Sequence, residues 1–479
     1  MQSHSFISAR RLAYSLMILT FFFSGRLEAA SEKEWTPSIT LTPPSPFTQN
    51  IRVDLRSALY NPSDATQTFH WSFSAASPNR TDHIQQGKTV VAPRSWEGVK
   101  VPWKPKGYES AHHIVFSATN GSQSYAASQS IEIVSSTVRS TQQIDGAWMG
   151  FYHWSETEGK LWNRDIRTLT DDQWKELVRG MHEIGMNIIV IQETFRNQVY
   201  YNKHDIPENG YHGRAFYPSH LYPGRMDIAA RDPVEAVLSQ ADALNMHVFM
   251  GVGLYAWFDF SADSLRWHCE VADELWQKYG HHPSFYGWYI SEETPGFIHV
   301  SANDSPQEIA QYQKEIIEFF QQFRTHVHRF APHKPIMLAT NCHFVTQTEA
   351  AWRQLVRCCD IVCPFGFHRM PQGDVTGEDA AAWLQNICDE EGGHLWMDME
   401  VFLFGSQGEL YPRPIKGLID DLLRFPIFEK ILCYQFPGLM NAPESSVHPG
   451  GRATVQLYEE YKKFYKTKRN SLGLKRGGE

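Results

Sequence analysis

Apolar and polar residues follow two different patterns along the chain, and the change falls between residues 137 and 144. Before it, short β-type runs such as IRVDLRSALY, TFHWSFSA and HHIVFSAT are separated by polar turn sequences such as NPSD and NGS. Regular short strands joined by polar turns are typical of an all-β sandwich. We therefore predict a small immunoglobulin-like β-sandwich domain over residues 35–137.

From residue 144 onward, apolar runs alternate with helical patterns. The runs are GAWMGFYHW, NIIVIQETF, HVFMGVGLY, FYGWYISEE, PIMLATN, DIVCPFGF, HLWMDMEVF and KILCYQFPG. Two of the intervening helices begin at capping boxes, one opened by Thr170 and one by Ser305. This rhythm predicts an α/β fold, a (β/α)8 TIM barrel over residues 144–466. An open doubly wound sheet is the alternative, but no glycine-rich phosphate loop follows the first strand.

The two ends of the chain differ from the body. Residues 1–30 carry Arg10 and Arg11, then the apolar run LAYSLMILTFFF, then small residues up to Ala30. This order is typical of a secretory signal peptide, and the apolar run is short for a membrane span. We therefore expect a secreted or periplasmic protein without stable membrane insertion. Residues 467–479 are basic and are predicted to form a disordered tail.

Composition narrows the classes of function. The net charge is −9 and the body of the chain has no basic cluster, so nucleic acid is not an expected partner. The seven cysteines have neither zinc nor disulfide-module spacing and are predicted to be buried thiols, although one disulfide stays open. The 22 histidines are scattered. We therefore predict no metal and no cofactor. The sequence leaves the oligomeric state open.

Four carboxylates stand at the ends of two predicted barrel strands. Glu292 and Glu293 end the fourth, and Asp398 and Glu400 lie in the seventh. The active site of such a barrel lies at the carboxyl ends of its strands, where side chains alternate between the interior and the helix layer. The predicted interior face of the fourth strand holds Gly287, Tyr289, Ser291 and Glu293. The predicted helix face holds Tyr286, Trp288 and Ile290, and Glu292 either continues this face or starts the loop.

In the seventh strand, Glu400 is predicted to point inward, one layer above Asp398. Two inward carboxylates at one barrel mouth are costly unless they are used or paired. Glycoside hydrolysis needs such a pair, because one carboxyl group acts as acid and the other as ionised nucleophile. The alternative is that each glutamate forms a salt bridge with a neighbouring arginine or lysine.

The stretch WYISEE, from Trp288 to Glu293, resembles the W-x-x-x-N-E pattern that ends strand four in clan A glycoside hydrolases. The barrel is also similar to secreted TIM-barrel families carried as domains of unknown function. The resemblance implies a retaining hydrolase in which Glu293 is the acid/base and Glu400 the nucleophile. Glu292 stands where the clan has asparagine, strand six offers His368 but no tyrosine, and strand eight lacks the usual tryptophan.

Further residues near the predicted strand ends are candidates for substrate binding. Aromatic rings there are expected to stack on sugars, and polar side chains to bond sugar hydroxyls, with packing and loop capping as alternatives. The candidates are Trp148, Tyr152, Gln192, Tyr255, Trp257, Glu292, Asn341, His343, His368 and Gln435. The long segment 196–226 is predicted to form a partly ordered wall or lid.

Three functions follow in order of preference. The first is an O-glycoside hydrolase that acts on an extracellular or periplasmic glycan, with carbohydrate as its partner. The second is an exported barrel that binds glycans without catalysis. The third is another barrel hydrolase, such as a deacetylase or metallohydrolase, for which the histidine and aspartate spacing is missing.

Overall fold

The computed structural model describes residues 35–152, 165–197, 213–221, 224–254, 258–301 and 303–471. The predicted signal peptide, Tyr255, Trp257 and most of the predicted lid lie outside the described residues. From Pro37 onward the chain belongs to one compact unit. None of its described helices is long and apolar enough to cross a membrane.

The N-terminal region is all-β, as predicted. Its strands are β1 (Thr40–Thr42), β2 (Phe47–Thr48), β3 (Val53–Asn61), β4 (Gln67–Ser77), β5 (Arg80–Val91), β6 (Ser95–Trp103), β7 (His113–Thr119), β8 (Ser124–Ser130) and β9 (Ile133–Val134). They form an antiparallel sheet in the order β1-β3-β6 and another in the order β5-β4-β7-β8, and β2 pairs with β9. Apolar side chains such as Leu55, Phe69 and Phe116 are fully buried.

The second region is a ring of parallel strands. The strands from here on are β10 (Gly146–Met149), β11 (Ile188–Ile191), β12 (Phe195–Asn197), β13 (Gly213–Ala215), β14 (His247–Gly251), β15 (Phe285–Thr294), β16 (Ile336–Thr340), β17 (Ile361–Val362), β18 (His394–Leu395), β19 (Met397–Glu400), β20 (Phe402–Phe404), β21 (Leu410–Pro412) and β22 (Ile431–Tyr434). The parallel sheet runs β18-β17-β16-β15-β14-β11-β10-β22-β19.

The ring closes through the seventh barrel strand. Its two segments, β18 and β19, are separated only by Trp396, and they form the opposite ends of the sheet order. β18 pairs with β17, and β19 pairs with β22. Eight strand positions therefore form a TIM-like barrel, which confirms the predicted fold class. The antiparallel pairs β12–β13 and β20–β21 are additions to it.

Helices connect the barrel strands. They are α1 (Asp171–Glu183), α2 (Pro233–Ala243), α3 (Ala262–Tyr279), α4 (Pro306–His328), α5 (Glu349–Cys358), α6 (Gly377–Glu391), α7 (Ile415–Arg424) and α8 (Arg452–Ser471). Thr170 and Ser305 form the two predicted capping boxes. Because α8 continues to Ser471, ordered structure extends past the tail boundary predicted at residue 467. Residues 472–479 lie outside the described part.

The barrel has two apolar layers, which alternate along its strands. The inner cluster includes Trp148, Val190, Phe249, Met337 and Trp396, and a larger cluster fills the space between strands and helices. All seven cysteines are free thiols, and all but Cys269 are buried. The alternation is the one expected for strands whose two faces are both covered.

One predicted orientation is wrong. Tyr286 belongs to the inner cluster, whereas alternation placed it towards the helices. The register between β14 and β15 shifts here: Val248 pairs with Phe285, and the next residue, Phe249, pairs with Gly287. The extra residue turns Tyr286 inward, and its hydroxyl donates to the carbonyl of Leu41.

The N-terminal region contacts the amino end of the barrel. Lys430 Nζ donates to the Pro46 carbonyl at 2.6 Å, and Asn187 Nδ2 donates to the Ser45 carbonyl at 2.6 Å. Lys430 and Asn187 each immediately precede a barrel strand. The N-terminal sheets therefore brace the amino end, and the opposite, carboxyl end is the one that carries the cavity described next.

Candidate active site

A cavity of about 310 Å³ lies at the carboxyl ends of the barrel strands. Most barrel strands and the hairpin β20–β21 contribute to its wall. The lining residues are Trp148, Gln192, Leu254, Tyr289, Ser291, Glu293, Ala339, Phe365, Arg369, Asp398, Glu400, Phe402, Phe404, Leu410 and Tyr434. The two glutamates predicted from the sequence, Glu293 and Glu400, are thus brought together in one cavity.

The alternation along β15 separates the two adjacent glutamates. Tyr289, Ser291 and Glu293 line the cavity, whereas Glu292 is fully buried and does not. Since Glu292 is buried and does not line the cavity, it lies away from the barrel mouth.

Glu400 is held by a guanidinium group. Arg369 Nη2 donates to Glu400 Oε1 at 2.7 Å, and Arg369 Nε donates to Oε1 at 2.9 Å and to Oε2 at 3.1 Å. Burial alone lowers the pKa of Arg369, but the hydrogen bonds and charge of Glu400 raise it overall. The forked contact fixes the orientation of the carboxylate and supplies a compensating positive charge.

His368 lies on the other side of Glu400. Its Nδ1 is 3.2 Å from Glu400 Oε2, and burial lowers the pKa of the ring. His368 does not line the cavity, so the structure places it behind Glu400.

Sequence reasoning missed Arg369. It lies in a short 3-10 helix, Phe367–Arg369, that begins directly after Gly366. The backbone of Gly366 has a φ of +91°, and a Cβ there would lie only 3.0 Å from His343 Nε2. The glycine is therefore required for the turn that directs Arg369 towards Glu400. The available signal was a basic residue just beyond the sixth strand, in CPFGFHRM.

Asp398 is a third carboxyl group in the cavity wall. It is 5% exposed, and its Oδ1 has no hydrogen-bond partner among the described residues. Burial raises the pKa of Asp398 well above its ordinary value, and the charges of Glu400 and Glu293 act in the same direction. Three carboxyl groups therefore share a cavity whose described wall contains one guanidinium group.

Aromatic rings form much of the rest of the wall. Trp148 packs edge-on against Tyr289 with ring centroids 5.8 Å apart. The hairpin β20–β21 contributes Phe402 and Phe404, and Phe404 is 52% exposed. The sequence analysis did not predict this hairpin, because it assigned no strands between the seventh and eighth barrel strands.

The polar candidates divide into two groups. Gln192 lines the cavity, and its Oε1 accepts from the Tyr434 hydroxyl at 3.3 Å. Gln435 is buried and accepts from the Gly150 N–H at 3.3 Å. Asn341 Oδ1 accepts from the backbone N–H groups of Gly296 and His343, at 2.9 and 3.1 Å. Gln435 and Asn341 thus perform backbone capping, which was the alternative interpretation.

The remaining candidates lie beside the cavity or outside the described residues. The guanidinium carbon of Arg196 lies over the Tyr152 ring, 5.3 Å from the ring centroid. His343 is half-buried and lies next to Gly366. Neither residue lines the cavity. Tyr255 and Trp257 lie outside the described part of the chain.

One group of described side chains has the spacing of metal ligands, and it is not in the cavity. It consists of Glu235, His281 and His282, and it lies near the start of β15. His282 already contacts two carboxylates: its Nε2 is 3.0 Å from Glu235 Oε2, and its Nδ1 is 2.6 Å from Asp242 Oδ2. The contacts of His282 with the two carboxylates account for this arrangement.

Comparison with known proteins assigns the barrel to a family. The model of the family described as "Domain of unknown function (DUF4434)" matches residues 144–447. No curated protein matches the chain.

The solved structures that match do so at low identity and with TM-scores below 0.5. A proposed alpha-L-fucosidase from Bacteroides thetaiotaomicron VPI-5482 is 16% identical over 68% of this chain and 93% of its own, with a TM-score of 0.48. A beta-glucuronidase from Bacteroides uniformis is 13% identical over 90% of this chain and 50% of its own, with a TM-score of 0.42. A beta-glucuronidase from Parabacteroides merdae is 12% identical over 90% and 52%, with a TM-score of 0.37. The chain spans about half the length of these two glucuronidases.

Proposed function

We propose that this chain, which belongs to the DUF4434 family, is an exported glycoside hydrolase that acts with retention on a carbohydrate substrate. The observation that carries the proposal is the position of Glu293 and Glu400. They come from the fourth and seventh strands and meet in one cavity at the carboxyl end of the barrel. The aromatic wall supports a sugar ligand, because rings offer flat apolar faces to its C–H groups.

The proposed mechanism is a double displacement. Glu400 attacks the anomeric carbon while Glu293 gives its proton to the leaving oxygen. Glu293 then takes a proton from water, and the resulting hydroxide releases the sugar from Glu400. Arg369 holds Glu400 in place through both of its oxygens. Retention requires the two carboxyl groups to be about 5–5.5 Å apart when substrate is bound, and inversion about 6.5–9.5 Å.

The charge of the cavity suggests the class of sugar. Among the described wall residues, Glu293, Asp398 and Glu400 are accompanied by one guanidinium group, that of Arg369, which is already bound to Glu400. A surplus of carboxyl groups disfavours an anionic ligand. We therefore expect neutral glycosides to be hydrolysed faster than matched uronides. Faster hydrolysis of uronides would contradict this part of the proposal.

The decisive experiment is a panel of neutral and acidic aryl glycosides and oligosaccharides, tested with Glu293→Gln and Glu400→Gln. Each variant should lose about 100-fold or more in kcat/KM. Glu349→Gln, a surface glutamate paired with Arg353, is the matched control and should keep full activity. A 2-fluoro glycoside should label Glu400, as read by peptide mass spectrometry. Unchanged hydrolysis in both cavity variants would reject the assignment.

One observation favours a second function, glycan binding without catalysis. Glu400 is engaged by Arg369 in a geometry that a purely structural salt bridge would also adopt. In that case glycans would bind the wild type, and no member of the panel would be hydrolysed. Glu400→Gln would then change the stability of the protein and the affinity for glycans, but no turnover.

A further inference from the structure

The third carboxyl group of the cavity has no role in the proposed double displacement. Asp398 precedes Glu400 by two residues on β19, so both side chains lie on the interior face of the strand. It lines the cavity one layer below Glu400 and is almost completely shielded from solvent. A buried carboxyl group without a partner is costly, so its persistence in the wall of a cavity requires an explanation.

The described groups that face Asp398 from the elements packed around it are acidic or neutral. These groups are Glu400 on β19, Glu293 and Tyr289 on β15, Cys363 after β17, and Cys433 on β22. Arg369 is the basic side chain of the described cavity wall. It directs its nitrogens to Glu400.

These contacts determine which of the two carboxyl groups on β19 holds a proton. When two carboxyl groups share a site, both cannot be ionised cheaply, and the one that lacks a cation keeps the proton. Glu400 has the guanidinium group, whereas Oδ1 of Asp398 has no hydrogen-bond partner among the described residues. Asp398 is therefore the group that stays neutral, and a neutral carboxylic acid has one O–H to donate.

We propose that Asp398 is a protonated carboxylic acid that donates a hydrogen bond to an oxygen of the sugar bound at the floor of the cavity. The recognised group is a hydroxyl or ring oxygen of the residue that lies against Glu400. The binding part of this inference rests on the proposed function. The protonated state of Asp398 does not, because it depends on the side chains of the protein alone.

The first test requires no substrate. Asparagine has nearly the same shape as aspartic acid but does not titrate. Asp398→Asn therefore removes the acid without opening a cavity. Difference infrared spectroscopy of wild type against Asp398→Asn at pH 7 should show the carbonyl stretch of a protonated carboxylic acid in the wild type only. Asp421→Asn, at a buried aspartate ion-paired with Arg413, is the matched control and should remove no such band. If the wild type lacks the band, the inference is wrong, whatever the protein hydrolyses.

The pH dependence of stability gives a second readout that is also independent of substrate. A carboxyl group whose pKa is raised on folding binds its proton more tightly in the folded state. The wild type therefore loses stability as pH rises from the ordinary aspartate pKa of about 3.9 towards the raised folded pKa. Asp398→Asn should gain in Tm relative to the wild type between pH 5 and pH 8. A difference in Tm that does not change with pH would overturn the inference.

The last arm tests the donated hydrogen bond. Asp398→Asn keeps a neutral donor and should bind a glycan ligand within about threefold of the wild type, whereas Asp398→Ala should weaken binding about tenfold, the equivalent of one hydrogen bond. Equal loss in both variants would mean that the carboxylate, not the acid, contacts the sugar. If no glycan binds the wild type, the proposed function fails, while the infrared and stability arms still decide the state of Asp398.

Discussion

The two ends of the barrel both bury charged side chains, and they do so in opposite ways. At the amino end, Asp360 accepts from Arg56 at 2.7 Å, and His394 lies between Asp54 and Glu429, at 3.1 and 2.6 Å. At the carboxyl end, the described cavity wall holds three carboxyl groups and one guanidinium group. Balanced buried charges stabilise an interface between two parts of the chain. Unbalanced ones have to be explained by a proton or by a ligand.

The electrostatics of the amino end confirm that its charges are matched. Burial alone raises the pKa of Asp360, but the guanidinium groups of Arg324 and Arg56 outweigh it and hold that pKa well below its ordinary value. Asp398 is also buried but has no guanidinium partner among the described residues, and burial raises its pKa well above the ordinary value. The same residue type therefore has opposite pKa shifts at the two ends, which is consistent with the protonated state that we propose for Asp398.

The largest expected effect on stability comes from breaking the balance at the amino end. Asp360→Asn leaves Arg56 and Arg324 without their shared carboxylate, and breaking a buried pair in this way costs about 3–5 kcal/mol. Urea unfolding should show a lower midpoint with an unchanged slope. Glu293→Gln in the cavity is the comparison, and it should change stability much less. A smaller loss in Asp360→Asn than in Glu293→Gln would reverse our interpretation of the two ends.

A second prediction concerns Arg369, the arginine of the described cavity wall. Arg369→Lys keeps the charge but loses the fork, so Glu400 is less well oriented, and kcat should fall about tenfold or more. Arg369→Ala removes the charge as well and should lower kcat further. Pre-steady-state kinetics measure both effects. A salt bridge that is only structural would lower stability and leave kcat unchanged.

A third, smaller effect comes from His394. Burial alone lowers its pKa, but the charges of Glu429 and Asp54 raise it overall. A raised folded pKa means that the stabilisation is complete below the ordinary histidine pKa of about 6.5 and is lost as pH rises through the folded pKa. The difference in unfolding free energy between wild type and His394→Gln should therefore shrink from pH 6 to pH 9. A difference that grows with pH would contradict it.

The smallest effect is expected at the rim of the cavity. Phe404 is half exposed on β20, so Phe404→Ala should leave Tm nearly unchanged. If the ring stacks on a sugar, KM should rise about fivefold, which corresponds to about 1 kcal/mol of lost aromatic contact. Tyr411→Ala, at an exposed ring of β21 that does not line the cavity, is the control.

Local patterns in the sequence were sufficient for the features that depend on neighbouring residues. Alternation along the strand correctly placed Glu293 and Glu400 in the cavity wall and Glu292 outside it, although the register between β15 and β16 shifts between Ile290 and Thr294. The same rule failed at Tyr286, where a register shift adds one residue. Gly287 was the available signal, because a glycine inside a strand often marks a bulge or a close backbone approach. A Cβ on it would lie 2.6 Å from the Pro335 carbonyl oxygen.

The parts of the site that depend on tertiary contacts could not be predicted. Arg369 reaches Glu400 because a glycine turn folds the segment after the sixth strand back over the seventh. Phe404 reaches the cavity because two short segments pair as a hairpin. Neither contact has a period or a spacing that a single sequence displays. The first joins residues that are far apart in the chain, and the second depends on the pairing of two three-residue strands.

The bracing of the amino end has a consequence for what counts as an autonomous folding unit. The family model matches residues 144–447, whereas the compact unit begins at Pro37. The barrel trimmed to the matched range would expose Tyr286, and it would leave the ammonium group of Lys430 without the Pro46 carbonyl and Asp360 without Arg56. We therefore expect the trimmed barrel to be less stable than the full chain, so expression for biochemistry should begin before β1.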